Sequence, residues 1–267
     1  GGLVPYLIER DANVYIVYST NSDYAFPPEI RAKENINACK VLGIKEDNIY
    51  ILGYADTAFK CEEHLFCGKD KVVKSSNNHM ETYGVNGRED YIFSKTGHHH
   101  DYTENNYYYD LKSVIMDLKA DILICVDLDE HPDHRMLSLT FDRIIGELLA
   151  ETKNTYMPYV LHRFAYALSY YSYADYPSLN IKSTCRPRLG YIEKYNFDWI
   201  DTNYYEWKNR IRFPLLESCM TNKISRNTVI RALNCYSSQY GFLQARKIVN
   251  GDMVFWERRT DGISYKA

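Results

Sequence analysis

One stretch constrains this chain more than any other. The apolar run Asp121-Ile-Leu-Ile-Cys-Val126 passes directly into Asp127-Leu-Asp-Glu-His-Pro-Asp-His-Arg135. A short, continuous run of branched side chains bounded by polar residues predicts a buried strand of a parallel sheet. From Arg135 to Ala150, the residues Leu137, Phe141, Ile144, Ile145, Leu148 and Leu149 recur on one helical face. Carboxylates, a proline and two histidines therefore occupy the turn where a strand hands over to a helix. In open α/β sheets that carboxyl edge is where ligands bind. Two histidines three apart around a carboxylate can supply a metal ligand, a proton shuttle, or both.

The flanking sequence alternates in the same way. Leu3 to Arg10 reads as a helix and Asn13 to Thr20 as a strand. Pro28 to Leu42 reads as a helix with proline in its first turn and Gly43 as its stop. Asn48 to Leu52 is a further short strand, leading to Gly53-Tyr-Ala-Asp56. Residues 57–109 lack periodicity, and a loop of that length reads as a functional insertion or lid. Within it His98, His99 and His100 could reach the mouth of the site from the loop, but they are expected to be solvated loop residues. Tyr109 to Lys119 reads as a helix, Tyr156 to Ala165 as a strand, Ser225 to Tyr236 as a helix capped by Ser225, and Asp252 to Arg259 as a last strand. Helices and strands alternating at this spacing predict an α/β fold, Rossmann-like, with a mostly parallel sheet and flanking helices. With no repeat and no linker, residues 1–267 read as a single domain.

Charge and cysteine usage narrow the class. The formal net charge is −3, with no basic stripe, which argues against nucleic acid as a partner. No apolar run reaches the ~18 residues of a membrane span. The seven scattered cysteines read as mostly reduced structural thiols and lean towards the cytoplasm, although a secretion signal would sit upstream of Gly1. Cys61-Glu-Glu-His-Leu-Phe-Cys67 offers three zinc-type ligands without a paired second half, so an insertion loop with ordinary thiols is the expectation.

The segment from Asp129 to Arg135 resembles the second signature of the LmbE-like (PIG-L) zinc-dependent de-N-acetylases. Arg31-x-x-Glu34 with Leu42-Gly43 resembles that family's Arg/Glu helix, and Leu52-Gly-Tyr-x-Asp56 its short motif after a strand. Thr82-Tyr-Gly84, Tyr109-Asp-Leu111, Ser237-Ser-Gln239 and Phe255-Trp-Glu-Arg-Arg259 match recurrent features of bacterial members. The resemblance implies zinc-dependent hydrolysis of the N-acetyl group of an N-acetylglucosamine-type sugar or sugar conjugate. It implies that His134 is a zinc ligand, that His131 steadies the oxyanion and protonates the leaving amine, and that Asp133 orients His131. It implies that Arg31 and Asp56 hold polar groups of the sugar, or a phosphate in the case of Arg31. A homo-oligomer is compatible with all of this.

In one respect the chain departs from the family. The first signature, Ala-His-Pro-Asp-Asp-Glu, is absent, and the sequence opens at the double glycine expected a few residues after it. That signature supplies two zinc ligands and the general base. The remaining Zn2+ ligands are therefore expected upstream of Gly1, and the chain reads as an N-terminally truncated deacetylase domain. On its own it is expected to bind zinc weakly and to turn over little. One alternative is a non-catalytic, carbohydrate-binding pseudoenzyme on the same fold. Another is a metal hydrolase acting on a different acyl amide, such as a thiol–sugar conjugate.

Overall fold

The computed structural model describes residues 1–56, 68–127, 131–163, 170–172, 185–187, 211–221, 223–244, 252–258 and 260. In chain order its principal elements are helix α1 (Leu3–Ile8), strand β1 (Ile16–Thr20), helix α2 (Pro28–Leu42), strand β2 (Ile49–Tyr54), helix α3 (Tyr91–Thr96), helix α4 (Glu104–Leu118), strand β3 (Ile122–Val126), helix α5 (Pro132–Glu151), strand β4 (Tyr159–Arg163), strand β5 (Tyr170–Ser172), strand β6 (Cys185–Pro187), strand β7 (Ile211–Pro214) and strand β8 (Asp252–Arg258). Short helices at Glu217–Met220 and Thr228–Asn234 lie between the last two strands. The fold is α/β with mixed sheets. β3 runs parallel to β4, β4 antiparallel to β8, and β5 antiparallel to β6. Among the described residues no helix is long and apolar enough to cross a membrane.

Contacts divide the chain into two compact units, residues 1–17, 29–50 and 166–254, and residues 18–28, 51–165 and 255–267. In the second unit, α5 turns Phe141, Ile144, Ile145, Leu148 and Leu149 into the core, each at most 5% exposed. Each contributes ~1.5–3 kcal/mol on burial. This is the face read from the helical spacing. Val114 and Ile115 of α4 and Val160 and Leu161 of β4 complete that core.

β3 departs from its expectation. Cys125 is buried, but Ile122 and Ile124 are 41% and 46% exposed, so one face of the strand is open rather than both being covered. Among the described residues β3 is an edge of its sheet, and its apolar run marks one buried face only. Helix α4 also begins earlier than its apolar spacing indicates. Thr103 caps it by accepting from the Asn106 N–H at 3.1 Å, which places Asp110 mid-helix and fully buried.

In the first unit, Gly2 packs so closely on Leu215 that a Cβ would come within 2.7 Å of that side chain. Tyr6 meets Phe213 edge-on at 6.3 Å. The helix expected from Ser225 starts three residues later, because Asn227 is the better cap. Its Oδ1 accepts from the Ile230 N–H at 3.1 Å while its Nδ2 donates to Cys219 O at 2.9 Å and Thr221 O at 3.0 Å. Ser225 sits instead in the 3-10 turn Ile224–Arg226. Cys39, Cys125, Cys219 and Cys235 are free thiols, the first three buried. Cys61, His64, Cys67 and Asp129 lie outside the described residues.

Candidate metal centre

His131 closes the entry to α5. It is the N-cap, its Nδ1 accepts the Asp133 N–H at 3.3 Å, and Pro132 supplies the first helical residue. Proline costs nothing there, since that N–H has no intrahelical partner. Asp133 falls in the first turn, where the helix dipole favours a carboxylate. Its carboxylate stands 3.8 Å from His131 Nδ1, so the nearer orienting contact is the Asp133 amide. The His134 ring lies 4.8 Å from that of His131, the planes tilted by 32°.

Asp56 is positioned from the opposite end of the sequence motif set. β2 ends on Gly53 and Tyr54, and Gly53 has φ +83°, a left-handed conformation natural to glycine. A Cβ there would meet Asp90 Cβ at 2.8 Å and Tyr83 O at 3.0 Å. The carbonyl of Gly53 accepts from Tyr102 Oη at 3.1 Å, and Asn21 Nδ2 donates to Tyr83 O at 3.1 Å. The chain then turns so that the Asp56 N–H donates to Asp23 Oδ1 at 2.9 Å, while Tyr83 Oη donates to Asp23 Oδ2 at 2.8 Å. Asp23 itself is 1% exposed.

Asp56, His131 and Asp133 thereby converge, with one ligand atom from each lying within 4.8 Å of the others. All three are half-buried. Two carboxylate oxygens and an imidazole nitrogen form a donor set that suits a divalent cation, and three protein donors leave a position for water. The residues present fit a metal on that ground. Asp56, expected at the sugar, thus brings its carboxylate to the His131–Asp133 turn.

Two further carboxylate–imidazole pairs lie in the same unit. His99 Nδ1 is 2.6 Å from Asp90 Oδ2, and His100 Nδ1 is 2.9 Å from Asp110 Oδ1. Both aspartates are fully buried, and the histidines are only about a quarter exposed, at 27% and 25%. This corrects the reading of His99 and His100 as solvated loop residues. Burial pushes the Asp110 carboxyl up to about 6, against the opposing pull of Tyr54, whose Oη donates to it at 2.6 Å, and of His100. Asp90 also caps α3 through the Phe93 N–H at 2.9 Å, inside the stretch read as one long loop. Tyr83 and Asp110 fall in segments that the family resemblance picks out, Thr82-Tyr-Gly84 and Tyr109-Asp-Leu111, whereas periodicity finds none of Asp23, Tyr83, Asp90 and Asp110. Asp90, immediately before α3 and seven residues before Gly97, has a cap-and-stop signal.

Arg31 belongs to the first unit. It is 7% exposed, with Nη1 3.1 Å from Glu34 Oε2 and its guanidinium 5.6 Å from the centre of the Tyr236 ring. Glu34 accepts from Ser237 Oγ at 3.0 Å, from the Ser238 N–H at 2.7 Å and from Ser238 Oγ at 2.7 Å.

The α/β fold thus carries a half-buried carboxylate–imidazole donor set, two of its three members lying at a strand-to-helix turn. Residues 1–145 match the family model described as PIG-L: GlcNAc-PI de-N-acetylase, and the chain belongs to that family. The family is one of hydrolytic deacetylases, typically metal-dependent. No curated protein matches the chain.

Proposed function

We propose that this protein hydrolyses the N-acetyl group of an N-acetylglucosamine-type sugar or sugar conjugate, with a zinc ion held between Asp56 and the His131-Pro-Asp-His134 turn. The observation that carries this reading is the convergence of Asp56, His131 and Asp133 within 4.8 Å in a PIG-L family chain. When bound, such a cation lowers the pKa of water towards ~7 and polarises the amide carbonyl. The chain's own residues then manage the protons. Because His131 Nδ1 accepts the Asp133 N–H, the proton of a neutral His131 ring resides on Nε2. That Nε2–H can hydrogen-bond a developing oxyanion. To protonate the departing amine the ring must first gain a second proton on Nδ1, which would then face the Asp133 carboxylate at 3.8 Å. The resemblance assigns His134 to the metal, so His131, although it lies within the donor set, serves as the acid and leaves the cation to Asp56, Asp133 and His134. The resemblance gives Asp56 and Arg31 to the sugar's polar groups. The position of Asp56 supports a role beside the cation.

The test is acetate release from a panel of acetamido sugars with zinc and after chelation, on wild type and on His131→Ala and His134→Ala. Zinc-dependent release from one sugar class supports the proposal, and zinc binding without release from any of them supports the pseudoenzyme instead. The variants divide the roles. Loss of turnover by ~10²–10⁴ with zinc affinity kept marks His131 as the acid. Loss of zinc affinity in His134→Ala marks that residue as the ligand.

A further inference from the structure

Four polar side chains, from β4, α5, β8 and the residue after β3, meet in the second unit, and none of them belongs to the three-donor cluster. Asp127, the residue after β3, is fully buried, and its N–H donates to Arg163 O at 2.8 Å. Arg258 of β8 places Nη2 3.0 Å from Asp127 Oδ1 and Nε 3.2 Å from Asp142 Oδ2 on α5. His162 of β4, also fully buried, has Nε2 3.0 Å from Asp142 Oδ1 and Nδ1 3.8 Å from Asp127 Oδ1. The Phe141 ring meets His162 edge-on at 5.6 Å. Together His162 and Arg258 hold the Asp142 carboxyl below the usual carboxylate range, although burial alone would raise it.

Burying the Asp127 carboxylate and the His162 ring beside a half-buried Asp142 is costly, and apolar side chains of similar volume would fill the same space without that cost. What this arrangement supplies is fixed spacing. A guanidinium presents its donors in a rigid planar fork, so one Arg258 sets the distance between its two carboxylate partners. Those partners sit on either side of the proposed centre. Asp127 ends the strand four residues before His131, and Asp142 lies on the helix that begins with His131 and Asp133. His162 braces the helix side of the same span.

We propose that Arg258, supported by His162, is a positioning residue for the His131–His134 turn, clamping the end of β3 to α5 so that the turn keeps its geometry. The proposal rests on reading that turn as the functional centre. Its test is NMR of the 267-residue chain at fixed pH, following the ring shifts of His131 and His134 and the NOE between the two rings. Arg258→Met is expected to shift both rings and to weaken the NOE at least ~2-fold, since an NOE falls steeply with separation while the rings start 4.8 Å apart. Arg258→Lys, which keeps the charge and loses the fork, is expected to give a smaller change of the same kind and serves if the methionine variant does not fold. Leu149→Ala, a core change on the same helix, controls for lost stability and is expected to leave both rings unmoved. Unchanged rings in the folded Arg258 variants, or equal changes in Leu149→Ala, overturn the clamp. Failure of the metal reading shows separately, as His131 and His134 signals in wild type that zinc does not move.

Discussion

The Asp56 N–H donates to the Asp23 carboxylate at 2.9 Å, so the approach of Asp56 to the His131 turn is held by a second, fully buried acid. The remaining oxygen of Asp23 is taken by Tyr83 Oη at 2.8 Å. A carboxylate that accepts two hydrogen bonds fixes its neighbours without entering the donor cluster, as outer residues around metal sites do.

Asp23→Ala therefore removes the acceptor from a backbone amide and from a tyrosine hydroxyl at once. The expected cost is about 3 kcal/mol of stability, together with zinc binding weakened ~10- to 100-fold. Asp23→Asn, which keeps an acceptor oxygen, is expected to recover most of both. Urea denaturation and calorimetric zinc titration measure the two effects. Wild-type zinc affinity in a folded Asp23→Ala protein would show that Asp23 does not support the site.

Gly53 has no room for a side chain and a φ of +83°. Gly53→Ala combines left-handed strain of about 1–3 kcal/mol with a contact of 2.8 Å against Asp90 Cβ. Thermal unfolding is expected to drop by several degrees, and zinc affinity to fall with it, because Asp56 follows three residues later. A melting temperature equal to wild type contradicts the close approach.

Asp110 gives the protein a defined pH response. Its folded value near 6 lies above the ~3.9 of an unfolded aspartate. A raised value means that its contribution to stability is complete below about pH 4 and is lost as pH rises through about 6. Relative to Asp110→Asn, wild type is expected to lose about 3 kcal/mol between pH 4 and pH 7. Denaturant midpoints at the two pH values measure the difference, and parallel pH profiles for both proteins refute it.

Glu34 behaves with the opposite sign. Burial alone would raise its carboxyl, but hydrogen bonds from Ser238 and Ser237 and the charge of Arg31 outweigh that and hold it low. Its contribution is present above the unfolded value of ~4.3 and is lost as pH falls below that. Glu34→Gln is expected to cost stability at pH 7 and progressively less towards pH 3. Arg31→Ala leaves a buried charge short of its ion-pair partner and is expected to cost about 3 kcal/mol. Chemical denaturation across this pH range decides both.

Much of the architecture is legible without coordinates. The apolar spacing of α5 names the residues that it buries, and Pro28 and Gly43 bracket α2. Element type follows from periodicity because a helix or strand buries one face whatever surrounds it. Boundaries follow from caps, and there the competition is local. Thr103 and Asn227 each capture a backbone N–H that no apolar period reveals. Two motifs separated by about two hundred residues, Arg31-x-x-Glu34 and Ser237-Ser238, are one hydrogen-bonded cluster. Each was visible alone, but their union was not.

The amino-acid sequence by itself determined the α/β alternation, the His131–His134 turn at the start of a helix, and membership of a deacetylase family. These depend on residues adjacent in the chain. The tertiary structure alone decided that Asp56 joins that turn, that Asp23 holds Asp56, that His99 and His100 rest on buried aspartates, and that Arg258 ties Asp127 to Asp142. Each of those pairs spans a loop whose closure carries no periodic signal, and a carboxylate's partner is set by burial and geometry rather than by spacing in sequence.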